Sequence, residues 1–122
     1  MLKFILIFII AILGIGCSDV HVKKYNERYY QTQLCNKLDG EMEVVLKDKT
    51  RVDCITDEYA IEVDFAKKWA EGVGQSLFYA EMTGKKPAIA LIIGEHDKKY
   101  LKRVEKVSKK FNIKIYTIKK ED

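Results

Sequence analysis

Apolar positions along this chain switch between helical and strand-like spacing, and the switches outline the fold. Tyr25 to Lys37 reads as a helix, ended by Leu38-Asp39-Gly40. Met42 to Leu46, Arg51 to Ile55, and Tyr59 or Ala60 to Asp64 read as short strands, with Lys47-Asp48-Lys49 as a polar turn. Phe65 to Met82 predicts a long helix, with Gly84 placed to cap its end. Pro87 opens the unbroken apolar run Ala88 to Gly94, which suits a central strand covered on both faces. Leu101, Val104, Val107 and Phe111 then recur at helical spacing, in a helix that Asp97 can cap and Asn112 breaks. Ile113 to Ile118 alternates as a final strand.

The first three strands are close enough in sequence to form an antiparallel meander. The strand–helix–strand units after them must be crossovers. The expected class is α/β: a mixed sheet of about five strands with helices on its faces.

The chain start does not fit this scheme. Met1-Leu2-Lys3 is a short basic opening, Phe4 to Ile15 is almost wholly apolar, and Gly16-Cys17-Ser18 ends the run. That layout predicts an export signal over residues 1–17. It falls short of the roughly 20 apolar residues of a spanning helix; a short uncut anchor is the competing reading. Gly14 to Cys17, GIGC, resembles a bacterial lipobox, although Gly14 stands where leucine is usual. The resemblance implies lipidation of Cys17 and membrane attachment through it; plain cleavage is the alternative. The protein is therefore expected to be exported, and either periplasmic, anchored as a lipoprotein, or secreted. Residues 18–122 are read as a single domain with one modest core.

Formal net charge is +4, and its distribution matters more than its size. Lys98 to Lys120 holds ten Lys or Arg and a single acid, Glu105. Such clustering suits phosphate binding, and equally a solvated helix face. With Cys17 set aside, Cys35 and Cys54 remain, and in an exported chain they suggest a disulfide; two buried thiols are the alternative. His21 and His96 sit in no cysteine-centred motif, so a catalytic cysteine or a zinc site has little to stand on.

The acids are more informative. Alternation along a strand puts Glu62 and Asp64 on one face, with Ile61 and Val63 on the other. A four-residue connection would pair Ile55 with Ala60, set Asp53 opposite Glu62, and set Arg51 opposite Asp64. A three-residue connection would separate the acids. Opposed carboxylates repel unless a cation lies between them, and magnesium or manganese favours hard oxygen ligands. The plain alternative is that Arg51 and nearby lysines neutralise these acids on a solvated sheet face. On the following helix, Lys68, Gln75 and Tyr79 fall in one stripe at about 100° per residue, away from Ala66, Val73 and Leu77. Ala70, Gly72 and Gly74 keep parts of that helix slim.

Together these residues resemble the PD-(D/E)XK nuclease superfamily. The element order from Tyr25 to Gly94 matches its αβββαβ core, the restriction-endonuclease-like fold, to which a C-terminal αβ unit is added. The resemblance makes Asp53 and Glu62 the paired acids. Gln75 and Tyr79 match the QxxxY spacing of RecB-type members. Val52 stands where the family's proline would be, and Asp64 stands where its lysine would be. The resemblance therefore implies a displaced lysine, Lys68 first and Lys67 second, with Asp64 as an added ligand. A further glutamate, Glu27, Glu41 or Glu43, would complete the site. The stretch VDCITDEYAIEVDFAKKWAEGVGQSLFYA also resembles small bacterial exported proteins that have no assigned substrate.

The implied function is metal-dependent hydrolysis of nucleic-acid phosphodiesters, in DNA or RNA. Asp53, Glu62 and Asp64 would hold magnesium or manganese. Lys68 would act near the scissile phosphate, and Gln75 would act beside the acids. Tyr79, Lys102, Lys106 and Lys109 would contact substrate. The rival expectation is a non-catalytic envelope lipoprotein that keeps a nuclease-like fold for binding or structural use.

Overall fold

The computed structural model describes residues 24–121. The export signal expected over residues 1–17, the lipidation expected at Cys17, and the start of the domain expected from residue 18 lie outside the described residues.

Asn26 opens helix α1, Glu27–Lys37, by accepting a hydrogen bond from the Tyr29 N–H at 3.1 Å. Strands β1, Glu41–Val45, β2, Arg51–Ile55, and β3, Tyr59–Phe65, follow as expected. Phe65 is still extended, so the next helix begins one residue late. It starts as a 3-10 turn over Ala66–Lys68 and continues as α2, Trp69–Thr83. Gly84 ends α2 in the left-handed region, at φ 70°, where a glycine carries no steric penalty. Strand β4 spans Lys86–Ile93, helix α3 Lys98–Phe111, and strand β5 Lys114–Lys119. Asn112 turns the chain out of α3 at φ 52°. Asp97 does not cap α3 with its side chain; its Oδ2 accepts from the Gly94 N–H at 2.8 Å instead, tightening the preceding loop.

The five strands form one mixed sheet in the order β1-β2-β3-β4-β5. The first three are antiparallel neighbours, and β3, β4 and β5 run parallel. Helix α1 packs on one face, against β1, β2 and β3; α2 and α3 pack on the other. Strand β4 is covered on both sides, which explains its unbroken apolar run. Ala88, Ala90 and Ile92 face the α1 layer with Tyr30, Ile61 and Val63. Ile89 and Leu91 face Val73, Val104 and Ile113. Each fully buried Ile or Leu stabilises the fold by about 1.5–3 kcal/mol relative to exposure.

Cys35 and Cys54 form the expected disulfide, joining α1 to β2 with their Cα atoms 5.8 Å apart. Gly40 lies against this bridge; a Cβ there would meet the Cys35 Sγ at 2.8 Å, and the Cys54 Sγ more closely still. Among the described residues, no helix is long and apolar enough to cross a membrane.

Candidate functional site

The candidate site lies where β2 parts from β3. Ile55 pairs with Ala60 and Cys54 with Ile61, the register needed to set Asp53 opposite Glu62. The backbone ladder then stops, and the Asp53 Oδ2 takes the Val63 N–H at 2.8 Å. A carboxyl has replaced a strand partner.

Side-chain alternation also fails at this point, contrary to the simple period-two expectation. Cys54 turns toward α1 to reach Cys35, while Val52 packs with Ala60 and Tyr79 on the α2 side. The β1–β2 pairing keeps one register on both sides of the break, so no residue is inserted. The strands rotate together instead: Glu43, opposite Asp53, sits at φ 57°, in the left-handed region that a glutamate rarely adopts. Gln31 of α1 supports the rotation. Only 4% exposed, its Nε2 donates to the Asp53 carbonyl at 2.9 Å and to the Glu43 Oε1 at 3.0 Å.

Glu62 and Asp64 are 5% and 4% exposed, and each keeps one buried oxygen without a hydrogen-bond partner, Glu62 Oε2 and Asp64 Oδ2. Burial pushes the Glu62 carboxyl up to about 10, and the charges of Asp53 and Asp64 push in the same direction. The Glu62 and Asp53 side chains also hydrogen-bond each other, which raises Glu62 and lowers Asp53, so Glu62 is the member of the pair that favours the proton. Burial, and then the Glu27 charge, push Asp64 up to about 7; Asp64 also pairs with the Glu27 carboxyl, while Lys68 pulls its value back down. Asp53 is pushed up to about 6 by burial, against the stabilising Val63 N–H. Desolvation of the charged form is the leading cause in all three.

The surrounding elements bring most of the expected partners close. Lys68, exposed on the 3-10 turn, lies within electrostatic reach of Asp64. Gln75 hydrogen-bonds Tyr79, whose hydroxyl is pushed up by burial and then by the Glu62 charge. Tyr79 does not sit on an outward polar stripe: it is buried against Val52 and Ala60, because the rotated β2 offers it an apolar seat. Gly72 lets α2 approach the acids, since a Cβ there would stand 2.8 Å from both the Asp64 Oδ2 and the Ile89 Cδ1. Gly74 has open space beside it and Ala70 is exposed, so neither serves that approach.

Other expectations change. Arg51 does not reach Asp64; it pairs with Val45 and bridges to Glu43 at 3.3 Å, because the β2–β3 ladder ends before it. Lys102, Lys106 and Lys109 are exposed on α3, and among the described residues no hydrogen bond or ion pair ties them to the acids. Of the three candidate glutamates, Glu27 and Glu43 act on the acids, while Glu41 is exposed and pairs with Ile55 in the ladder. Gln31 was not anticipated. Its place four residues after Glu27, on the same face of α1, was the available clue.

The donor set is all oxygen, it carries two orphaned buried carboxylate atoms, and its members repel one another. A hard divalent cation fits that chemistry. Yet the carboxyls are turned onto each other, and among the described residues no group of three or more His, Cys, Asp and Glu is arranged to hold a metal ion.

No family model matches the chain, and no solved structure matches it. A sequence relative is a protein of Acanthamoeba polyphaga mimivirus named for containing a KilA-N domain, 33% identical over 94 residues. The match takes in 73% of this chain and 35% of the viral protein, so the chain spans about a third of that relative's length.

Proposed function

We propose that the protein is an exported, metal-dependent hydrolase of nucleic-acid phosphodiesters, built on a restriction-endonuclease-like αβββαβ core of the PD-(D/E)XK type. One observation carries the reading: buried Glu62 and Asp64 lie with half-buried Asp53 at a break in the sheet, the two buried acids each keep an orphaned oxygen, and Lys68 stands within electrostatic reach of Asp64. Burying mutually repelling acids costs stability, and catalytic sites are where such costs concentrate.

Asp53, Glu62 and Asp64 would hold magnesium or manganese, with Glu27 as an additional donor. When bound, the ion would neutralise charge on the phosphate and activate water. The chain's own residues do the rest. The Lys68 ammonium would bind a non-bridging phosphate oxygen and stabilise charge that grows there. Gln75 would fix the Tyr79 hydroxyl, and Tyr79 would orient the Glu62 carboxyl. Glu62 would give up its proton on loading, since a cation and a proton compete for the same oxygens. Lys102, Lys106 and Lys109 would hold more distant phosphates.

The test is incubation of the oxidised protein, freed of residues 1–17, with DNA and with RNA, in manganese or in chelator. Metal-dependent cleavage that disappears in Asp53→Asn supports the reading; undiminished cleavage by Asp53→Asn rejects it. A second reading, a non-catalytic envelope lipoprotein, is favoured by the inward turn of the carboxyls and by the Asp53 Oδ2 already accepting a backbone N–H. No cleavage, together with no metal-induced rise in melting temperature, would select it.

A further inference from the structure

Beside the acids, the 3-10 turn Ala66–Lys68 packs against α3 and brings together a second set of groups. The Arg103 guanidinium lies over the Trp69 ring, 5.8 Å from its centroid, and over the Tyr100 ring at 5.5 Å. The Lys99 ammonium is 5.1 Å from the Tyr100 centroid. Lys67 and Lys68 immediately precede Trp69 in the chain, and Lys68 is the cation that acts on Asp64.

Lys67, Lys68, Lys99 and Arg103 are exposed, and Trp69 and Tyr100 are half-buried. Among the described residues, none of the four cations forms an ion pair, although Glu71 and Glu105 lie on the same two helices. On α3, Lys102, Lys106 and Lys109 point away from the core, opposite buried Val104, and Lys99 lies near that outward face while Arg103 turns toward Trp69.

We propose that Lys67, Lys68, Trp69, Lys99, Tyr100 and Arg103 form a binding surface for single-stranded nucleic acid, running from the acids toward the start of α3. Interleaved cations and aromatic rings are what an unpaired strand requires. Cations follow the phosphates, and rings or guanidinium planes receive bases that a duplex would keep stacked inside. Arg103 is the centre of this surface. Its guanidinium already lies near two rings, and among the described residues no ion pair engages its N–H groups. The inference rests on the proposed nuclease reading for its direction, since the strand would lead to Asp64 and Lys68.

Trp69 is the only tryptophan in the chain, so its fluorescence reports on this surface directly. The experiment titrates full-length protein, in nanodiscs and in chelator, with a single-stranded oligothymidylate and with the same sequence as a duplex. Two charge-matched double variants are compared, Lys67→Glu with Lys99→Glu, and Lys110→Glu with Lys114→Glu. The expected result is quenching of Trp69 by the single strand. The first variant should bind at least about tenfold more weakly and the second less than about threefold, each retaining its melting temperature.

Equal weakening by both variants would reduce the surface to general electrostatics and overturn the proposal. So would tighter binding of the duplex, or a Trp69 response to phosphatidylglycerol in the nanodiscs without any response to oligonucleotide. Because chelator removes cleavage, binding is read separately from catalysis. Quenching without any nuclease activity in manganese would leave this surface standing and remove the proposed reaction. Cleavage without quenching would do the reverse.

Discussion

Strand β3 has two neighbours, and they treat it differently. Toward β4 it pairs without interruption from Tyr59 to Phe65, in parallel register. Toward β2 it keeps only two paired positions, and then the Asp53 carboxyl takes over a backbone N–H. The β4 side is apolar on both faces and could be replaced by another well-packed pair with little chemical consequence. The β2 side accepts buried acids, a left-handed glutamate and a glutamine standing in for ladder bonds. A sheet gains rigidity from one edge of a strand and chemical potential from the other, and Asp53 stands at the boundary between the two.

The largest expected effect is at that boundary. Asp53→Asn and Glu62→Gln should each lower metal-dependent cleavage at least about a hundredfold, as loss of a group acting on transition-state charge does. In metal-free protein at neutral pH Glu62→Gln should nevertheless leave the melting temperature nearly unchanged, because a neutral amide replaces a carboxyl whose burial already favours its neutral form. A fall in both activity and stability would mean that Glu62 is a structural acid.

The next effect concerns what holds α1 against the break. The disulfide closes a sequence separation of 19 residues, so replacing Cys35 and Cys54 by serine should cost about 3 kcal/mol in denaturant unfolding. If Gln31 depends on that attachment, metal affinity should fall in the same variant.

Stability should also depend on pH, with a sign opposite to that of an ordinary surface carboxylate. Asp53 and Asp64 have raised values, about 6 and about 7. Their unfolded-state values are near 4, so the folded chain keeps protons that the unfolded chain has released. The stability linked to those protons is present at low pH and is lost as pH rises through about 6 and 7. Metal-free protein should therefore lose about 1–3 kcal/mol between about pH 5 and pH 8, and manganese should flatten the profile. A stability that rises across that window would mean the acids are solvated.

The smallest effect probes the approach of α2. In Gly72→Ala the new methyl meets the Asp64 Oδ2 and the Ile89 Cδ1, so overpacking should cost about 1–3 kcal/mol, partly offset by up to about 1 kcal/mol of helix propensity. The matched control, Gly74→Ala, faces open space and should be stabilising.

Much of the fold could be read from local pattern. Strand β2 has the expected limits, Arg51–Ile55, because its ends are set by turn residues adjacent in sequence. The apolar run of β4 announces burial on both faces, and Gly84 and Asn112 mark helix ends because few residues tolerate the left-handed region. The sequence allowed two connection lengths between β2 and β3, and the tertiary structure selected the one that pairs Ile55 with Ala60. The seat of Tyr79 was not legible, because helical periodicity assigns a face but cannot reveal that Val52 has turned to meet it.

The amino-acid order alone determined which elements form, their succession, the cysteines available for a bridge, and the face shared by Glu62 and Asp64. These are consequences of short-range sterics and of periods fixed by the backbone. The tertiary structure decided that alternation fails at Asp53, that Gln31 fills the gap, that Glu27 joins the acids, and that Arg103 settles over Trp69. Each of these depends on residues far apart in the chain arriving at one place. Such meetings are governed by packing and desolvation of the whole domain, quantities that no local spacing encodes.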